Sequence, residues 1–394
     1  MKFGVVGCGY VATMYASTLG FHPELQLAGA FDTNAANLDS FVARWPATRF
    51  GSLDDLLADR SIDAVLNLSN PRSHFDINQR CIEAGKHVYS EKPLAMTGAD
   101  ALSLAKRASQ RGVTLSSAPC SVLSETAQTL WHAIRSSAVG RIRLVYANFD
   151  DGMIAPNQSP WNWRDERGVA WPAKDEFEVG CTYEHAGYVL TWLCAFFGPA
   201  RRVTAFSSLQ LPDKGIRVDS MAPDFSVGCL EFDDGVVARV TCGLVAPRDK
   251  SLTVVGDDGV LFVGNVRDDG GPVFVRQYSK GRIESGLARR LQRVARWLEA
   301  RVPASAIDLL FASTYSVPAA VARTAVSERK RVDFLLGPAE MADAIRNGRA
   351  PRLSADFAAH IVEIVEALQY PERFQFRKET TTAFEPMAPM PWAQ

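Results

Sequence analysis

Apolar runs and amphipathic segments alternate through the first 120 residues of the chain. Short apolar runs bounded by turn residues predict strands, and apolar residues recurring at helical spacing between them predict helices. The predicted strands cover residues 2–6, 25–31, 62–68, 87–90 and 113–117, and the predicted helices cover the segment after Gly9 and residues 34–45, 73–85 and 97–111. This alternation indicates a parallel sheet with helices on both faces. We place the end of this first domain near residue 120.

Beyond residue 120 the pattern changes to longer β-rich runs separated by turn residues. These runs cover residues 142–149, 202–207, 225–232, 236–243 and 252–257. Turns such as the Asp-Asp-Gly at 233–235 typically join antiparallel neighbours. The pattern predicts a second domain over residues 121–375, an α+β unit with a large, mainly antiparallel open sheet. Residues 376–394, rich in Thr, Pro and Met towards the end, predict an extended tail.

A helical insertion is predicted within the second domain, at about residues 265–350. Its clearest part is the segment 286–302, where aliphatic residues recur at helical spacing and most arginines lie on other faces. The aliphatic positions are Leu287, Leu291, Val294, Leu298 and Val302. Such a helix packs on its own domain or on a neighbouring subunit, or it binds a membrane surface or an anionic ligand. The sequence does not distinguish between a role of the insertion in subunit assembly and a role in substrate specificity.

Composition and charge narrow the class of partner. The 394 residues carry a formal net charge of −1, so the chain offers no basic field for nucleic acid or acidic membranes. Apolar runs fall short of the roughly 18 to 20 residues that span a bilayer, and the first residues lack the features of a signal peptide. Seven cysteines without CxxC spacing favour reduced thiols and a cytoplasmic protein. Because the cysteines and histidines form no ligand pattern, we expect no metal.

A glycine-rich turn joins the first predicted strand to the first helix. In the GxGxxA motif Gly7 permits the tight turn, Gly9 lets the backbone approach a pyrophosphate, and Ala12 allows close helix packing. Tyr10 and Val11 open the helix whose N-terminus stabilises the negative charge. The motif predicts a doubly wound Rossmann domain that binds a dinucleotide.

Asp32 completes this motif and bears on the choice of cofactor. It ends the second predicted strand, 20 residues past the motif, where a carboxylate accepts hydrogen bonds from the adenosine ribose hydroxyls. The same carboxylate repels a 2′-phosphate, and Thr33 and Asn34 supply no arginine to neutralise one. We therefore expect NAD rather than NADP.

Two further motifs give the chain a family resemblance. A Glu-Lys-Pro motif at residues 91–93 follows the predicted strand 87–90, and a Ser-Asn-Pro loop at residues 69–71 precedes His74. Together with the glycine turn, they resemble the Gfo/Idh/MocA oxidoreductases, a family named for glucose-fructose oxidoreductase, inositol dehydrogenase and a rhizopine catabolism protein. The resemblance extends over nearly all of the chain to about residue 260, and over the helix predicted at 352–369.

The resemblance implies roles for particular residues. Lys92 would lie between nicotinamide and substrate, where an ammonium steers a hydroxyl and lowers the cost of removing its proton. Trp163 and Arg164 match a Trp-Arg pair that lies near the nicotinamide in the family. The cofactor site would also include Ser69, Asn70, His74 and Glu91. A homo-oligomer, dimer or tetramer, is a further implication of the resemblance.

Residues 180–188 depart from the family pattern. Family members carry Asp and, four residues later, His on one helix, whereas this chain has Glu184 and Tyr188 at those positions. Residues four apart share a helix face, so both can point into the site, with His185 about 100° around the helix. Glucose-fructose oxidoreductase also has Tyr at the His position. Tyr188 can act as acid or base if the Lys92 cation lowers its pKa. His185 is its rival because imidazole titrates near neutral pH, although it can also be a hydrogen-bonded helix residue only.

These expectations combine into one predicted reaction. An NAD-dependent enzyme transfers hydride between a nicotinamide and a ring hydroxyl or ketone of a sugar, sugar derivative or nucleotide sugar, a substrate class that the resemblance alone implies. Tyr188 or His185, aided by Lys92, moves the hydroxyl proton, and Glu184 positions the substrate or that relay. Three alternatives stay open: a redox-neutral lyase or glycosidase that oxidises its sugar transiently, a non-catalytic dinucleotide-binding regulator, and a reductase of the bilirubin-reductase type.

Overall fold

The computed structural model describes residues 1–154, 163–278, 312–317 and 332–394. Within these ranges the chain forms two β-sheets with helices packed on them. The helix predicted at 286–302 and much of the predicted insertion lie outside the described residues.

The first sheet has six strands, all parallel where they pair. They are β1 (Lys2–Val6), β2 (Gln26–Phe31), β3 (Thr48–Arg49), β4 (Ala64–Asn67), β5 (His87–Ser90) and β6 (Leu115–Ser117). The order β3-β2-β1-β4-β5-β6 reverses direction between β1 and β4, and this reversal places a crevice at the carboxyl ends of those two strands. The predicted doubly wound Rossmann sheet is confirmed.

Five helices accompany this sheet. They are α1 (Tyr10–Ala16), α2 (Ala35–Arg44), α3 (Leu53–Ala58), α4 (His74–Glu83) and α5 (Gly98–Arg111). Asn34, Ser52 and Thr97 cap α2, α3 and α5, because each side chain accepts a hydrogen bond from a backbone N–H of the first turn. The sequence missed β3 and α3, which are too short to show a period of their own.

The second sheet is large and mainly antiparallel, as predicted. Its strands are β7 (Ile142–Asp150), β8 (Ala200–Ser208), β9 (Phe225–Phe232), β10 (Val237–Gly243), β11 (Leu252–Gly256), β12 (Gly259–Val263), β13 (Val273–Gln277), β14 (Ser313–Tyr315) and β15 (Arg377–Glu379). Their order is β14-β13-β12-β11-β7-β10-β9-β8-β15. Among the described pairs only β7 and β10 run parallel. The strands β13 and β14 come from the region predicted as a helical insertion and extend one edge of the sheet.

The helices of the second half carry its core and join it to the first domain. They are α6 (Glu125–Arg135), α7 (Ala173–Val179), a π-helical turn at Thr182–Ala186, α8 (Gly187–Phe197), α9 (Leu336–Arg346) and α10 (Ala355–Gln369). Helix α10 has apolar residues on both sides: Ala359 and Val362 pack with Leu104 of α5, whereas Ile364 and Leu368 pack in the core of the second sheet. The helix predicted at 352–369 therefore holds the two sheets together.

The tail predicted at 376–394 is extended and packed on the protein. After β15, the backbone N–H groups of Thr381 and Thr382 donate to the carboxylate of Glu363, and the side chains of Phe384 and Met387 are buried. In the described part of the chain we find no helix with the length and apolar character needed to cross a bilayer. Since β6 ends before and α6 begins after residue 120, that position remains our proposed domain boundary.

Candidate active site

A cavity of about 390 Å³ lies between the two domains, at the crevice beside β1 and β4. The loops that follow β1, β4 and β5 form its first-domain wall. The second-domain wall includes Asp151, which follows β7, together with residues of the segment 163–176, the π-helical turn and α8. Three cations also line it: Arg248, Lys250 and Arg267. Both domains are therefore needed to complete the cavity.

The glycine turn lines the cavity as the sequence predicted. Gly7 has φ +92°, and a Cβ there would lie 2.6 Å from the carbonyl oxygen of Leu68, so the turn requires glycine. A Cβ on Gly9 would meet no atom within 4 Å. The cavity wall at this turn consists of Gly9, Tyr10, Val11 and Met14. Ala12 is buried beneath it, so the open space over Gly9 fits the approach of a pyrophosphate.

Asp32 is held against this turn by two backbone hydrogen bonds. Its carboxylate accepts from the N–H of Cys8 at 2.6 Å and from the N–H of Asn34 at 2.7 Å. Each carboxylate oxygen can accept more than one hydrogen bond, so both retain capacity for ribose hydroxyls. The donors and acceptors present at this edge therefore fit a dinucleotide.

A loop of the second domain closes onto the glycine turn. Arg167 donates to the carbonyl oxygens of Cys8 at 3.0 Å and Gly9 at 2.7 Å, and it pairs at 3.0 Å with Asp165. The Arg167 and Asp165 side chains are only 5% and 4% exposed. The predicted cofactor residue Trp163 lines the cavity, but Arg164 is exposed and donates to the Gly168 carbonyl. Arg167, which the sequence analysis missed, is thus the arginine of this loop that contacts the first domain.

The predicted residues Ser69 and Asn70 line the cavity, whereas His74 lies behind them. The His74 ring nitrogens are 2.6 Å from the Pro93 carbonyl oxygen and 2.9 Å from that of Ser69. The side chain is fully buried. The family resemblance implies that His74 belongs to the cofactor site; the structure places it where it fixes the Ser-Asn-Pro loop against the Glu-Lys-Pro loop.

Glu91 and Glu184 hold Lys92 at the cavity. The Glu91 carboxylate accepts from the Tyr15 hydroxyl at 2.7 Å and from the Lys92 N–H at 3.0 Å. The Lys92 ammonium forms an ion pair with the Glu184 carboxylate. Burial lowers the pKa of Lys92, but the surrounding negative groups, Glu184 foremost, outweigh burial and raise it. Lys92 therefore stays charged.

The π-helical turn changes the predicted orientation of His185. With α-helical spacing, His185 would lie about 100° from Glu184, yet Glu184, His185 and Tyr188 all line the cavity. The widened turn spans 182–186, and such single π turns often occur at functional sites. All three candidates of the sequence analysis therefore line one cavity, and the choice between Tyr188 and His185 stays a prediction.

His185 lies between two acids that the sequence analysis did not identify. Its Nε2 atom is 3.3 Å from an Asp151 oxygen and 3.1 Å from a Glu176 oxygen. Burial lowers the pKa of His185 to about 3. Burial and the nearby Glu184 raise the pKa of Glu176 well above its usual range, whereas His185 and Lys250 overcome burial and lower that of Asp151 to about 2. These shifts disfavour charge on the imidazole and on Glu176 and favour the ionised form of Asp151.

Tyr188 is held by aromatic and cationic neighbours. Its ring stacks on Phe149, with centroids 5.0 Å apart and planes at 12°, and the Arg267 guanidinium lies 4.7 Å from the ring centroid. Burial raises the pKa of Tyr188, and the charges of Arg267 and Lys92 only partly oppose this. Lys92 thus lowers this pKa, but by less than burial raises it, and Tyr188 keeps its proton at neutral pH.

The residues missed by the sequence analysis come from distant segments. They are Asp151, Asp165, Arg167, Glu176, Lys250 and Arg267. One signal was present: Asp150 and Asp151 end a predicted strand, a place where polar residues often serve a site. The packing of the two domains brings Glu176, Lys250 and Arg267 to the cavity. It also brings Asp165 and Arg167 to α1 and the glycine turn.

Two family models match most of the chain. The model described as "Oxidoreductase family, NAD-binding Rossmann fold" matches residues 1–118, and the "GFO/IDH/MocA C-terminal domain" matches residues 127–262. The chain belongs to the Gfo/Idh/MocA oxidoreductase family. It is an NAD(P)-dependent dehydrogenase or reductase that acts on CH–OH groups.

Curated relatives are distant in sequence but span similar lengths. An uncharacterized oxidoreductase of Synechocystis is 24% identical over 279 residues, covering 68% of this chain and 73% of the relative. Myo-inositol 2-dehydrogenase of Thermotoga maritima is 25% identical over 277 residues, covering 68% and 76%.

Solved structures share the fold over nearly the whole chain. Aldose-aldose oxidoreductase from Caulobacter crescentus superposes with a TM-score of 0.72 at 17% identity, covering 96% of this chain and 99% of that one. A Bordetella pertussis dehydrogenase in complex with NADH and UDP-GlcNAcA gives 0.67 at 19% identity, covering 97% and 98%. A 3-ketoreductase from Actinomadura kijaniata in complex with NADP gives 0.68 at 17%, covering 93% and 96%.

Proposed function

We propose that this protein oxidises a ring hydroxyl of a sugar or sugar derivative, or reduces the corresponding ketone, with NAD as its cofactor. The observation that carries the proposal is that one cavity holds the open space over Gly9 together with Lys92, Glu184 and Tyr188. The named relatives, an inositol dehydrogenase and an aldose oxidoreductase among them, support a polyol or sugar as substrate.

NAD is proposed over NADP on charge. Asp32 faces the region of the adenosine ribose with its carboxylate and would repel a 2′-phosphate. Arg167, which approaches α2 through the Ser40 hydroxyl, already pairs with Asp165. Its charge is therefore not available to neutralise an added phosphate.

In the proposed mechanism each residue has one task. Gly9, Tyr10 and Val11 would hold the pyrophosphate. When bound, the nicotinamide supplies the hydride acceptor or donor. Lys92 would donate a hydrogen bond to the reacting oxygen, and Tyr188 would exchange a proton with it. Glu184 would act as a positioning residue because it fixes the Lys92 ammonium.

This function is tested with a panel of polyols, free sugars and nucleotide-linked sugars, and turnover is measured as the change in NADH absorbance. Tyr188→Phe removes only the hydroxyl and is expected to lower kcat by at least about 100-fold, the usual scale for a positioned acid or base. His185→Asn is expected to retain most of the turnover. The opposite ranking of the two variants would reassign the proton to His185. Binding of NAD without net redox change for any sugar would contradict a dehydrogenase and favour the redox-neutral lyase or the regulator.

The pH profile gives a second test of the proton-transfer residue. Because burial raises the pKa of Tyr188 and lowers that of His185 to about 3, neither group changes protonation near neutrality. Ketone reduction needs protonated Tyr188, so its kcat/KM should be flat from about pH 5 to pH 9; alcohol oxidation needs the deprotonated form, so its rate should rise with pH. A limb near neutrality that disappears in His185→Asn would instead assign the proton transfer to His185.

A further inference from the structure

Four cations line the cavity, but only two of them have carboxylate partners. Lys92 pairs with Glu184, and Lys250 pairs with Asp151. Arg248 is exposed at the cavity, and Arg267 contributes to its wall. Among the described residues neither arginine has a carboxylate partner or a side-chain hydrogen bond. The cavity thus holds two cationic side chains without an acceptor.

Arg267 is the more informative of the two because it is partly buried, whereas Arg248 is exposed. Its Nε atom is buried and has no hydrogen-bond partner in the described chain. The guanidinium lies 4.7 Å from the Tyr188 ring centroid and 6.0 Å from that of Phe334, and aromatic faces orient a cation without accepting its hydrogen bonds in the way an anion does. Burial lowers the pKa of Arg267, but its negative surroundings, Tyr188 and the Asp151 carboxylate foremost, outweigh burial and raise it. The charge is therefore compensated, whereas the Nε–H group lacks an acceptor, and a buried donor without an acceptor is costly. This cost is relieved if a bound molecule supplies the acceptor.

We propose that Arg267 binds the carboxylate of an acidic sugar substrate, a refinement that rests on the proposed sugar dehydrogenase function. The planar guanidinium matches a carboxylate through two parallel hydrogen bonds. Because Arg267 lies on the Tyr188 ring, a carboxylate bound there would place the rest of the sugar beside the Tyr188 hydroxyl.

The charges around Arg267 support an anionic ligand. Arg248 and Arg267 both act electrostatically on Lys250, and Asp151 is the carboxylate that pairs with Lys250. Burial and the two arginines lower the pKa of Lys250 in spite of that pair. Lys250 is thus the cation here with a carboxylate partner, and the guanidinium groups of Arg248 and Arg267 remain as donors for a substrate carboxylate that a neutral sugar lacks.

The pyrophosphate of the cofactor is the other possible source of such an anion. Arg267 also acts electrostatically on Tyr10 of the glycine turn. The Tyr188 ring, however, lies in direct contact with Arg267, and the open space over Gly9 already provides for the pyrophosphate. We therefore assign Arg267 to the substrate, and the experiment below separates the two sources.

The test compares sugar acids with their neutral counterparts. For wild type, Arg267→Met and Arg267→Lys, kcat/KM is measured with glucuronate and galacturonate against glucose and galactose. We expect wild type to prefer the acids by about 100-fold, because removing one partner of a hydrogen-bonded charge pair has an effect of this size. Arg267→Met should lose that preference, and Arg267→Lys should keep part of it. Arg239→Met is the matched control, since Arg239 also lies 4.7 Å over a tyrosine ring, Tyr146, but outside the cavity.

Two results would overturn the assignment. If wild type turns over neutral sugars as efficiently as the corresponding acids, Arg267 does not bind a substrate carboxylate. Weaker NADH binding in Arg267→Met by fluorescence titration, with an unchanged acid-to-neutral ratio, would assign Arg267 to the pyrophosphate. If no sugar is turned over, the anion site is tested separately by calorimetry of glucuronate with the NAD-loaded protein. Binding by wild type that is lost in Arg267→Met would support the anion site even though the protein is not a dehydrogenase. Lack of binding by wild type would overturn the anion site.

Discussion

Replacing Lys92 by alanine is expected to lower kcat by about 10²- to 10⁴-fold, the contribution typical of one positioned proton-transfer group. The ion pair with Glu184 holds the ammonium at the cavity, and the raised pKa of Lys92 keeps it charged. NADH affinity should change little because the glycine turn is untouched. Steady-state kinetics with the best substrate of the panel, combined with NADH fluorescence titration, measures both effects.

Lys86 offers a matched control for this variant. It is also a buried lysine, but its ammonium donates to the carbonyl oxygens of Asp59 at 2.7 Å and Ile62 at 2.8 Å, outside the cavity. Lys86→Ala should therefore lower Tm and leave kcat of the folded enzyme intact. Full turnover by Lys92→Ala would exclude Lys92 from the chemistry, and a loss of turnover that only follows a loss of folded protein would make its role structural.

Replacing Gly9 by valine is expected to weaken NAD binding by about 100-fold or more while the protein stays folded, since this glycine lets the backbone approach the pyrophosphate. A Cβ at Gly9 meets no protein atom within 4 Å, so the chain itself tolerates a side chain there. The added isopropyl group would occupy the space needed by the cofactor. Isothermal titration with NAD and thermal unfolding of the same samples report affinity and stability.

Two other glycines serve as controls for this prediction. A Cβ at Gly20 would also meet no atom within 4 Å, and this residue lies outside the cavity, so Gly20→Val should leave NAD affinity unchanged. At Gly7, positive φ and the Leu68 carbonyl should make Gly7→Ala unstable whether or not cofactor is added. Unchanged NAD affinity in Gly9→Val would mean that the cofactor does not run over this turn.

Local patterns were sufficient for the fold class because each depends on neighbours in sequence. The glycine spacing at residues 7–12 fixes a turn between strand and helix, and the regular alternation up to residue 117 requires parallel strands. The Glu-Lys-Pro motif placed Lys92 after a strand of that sheet, at the edge where the cavity lies. Short elements such as β3 and α3 contain too few residues for a period to be visible.

The tertiary structure decided the protonation states of the site. A cation beside a tyrosine suggested a lowered pKa, but burial of Tyr188 is the larger effect. Helical spacing placed His185 about 100° around the helix from Glu184, and the π-helical turn brings it to the same cavity, beside Asp151 and Glu176. Burial and turn geometry arise from packing, and the sequence contains no local sign of either.

By itself, the sequence determined the family, the dinucleotide turn and the lysine at the carboxyl end of β5, because these features lie in short contiguous motifs. Only the tertiary structure decided which side chains meet at the cavity and at its glycine turn. Arg167 reaches the turn across 158 positions of chain, and Arg267 lies on the Tyr188 ring in the cavity wall. Contacts of this kind form when two separate sheets pack together. Their chemistry depends on distances and burial that residue spacing does not encode.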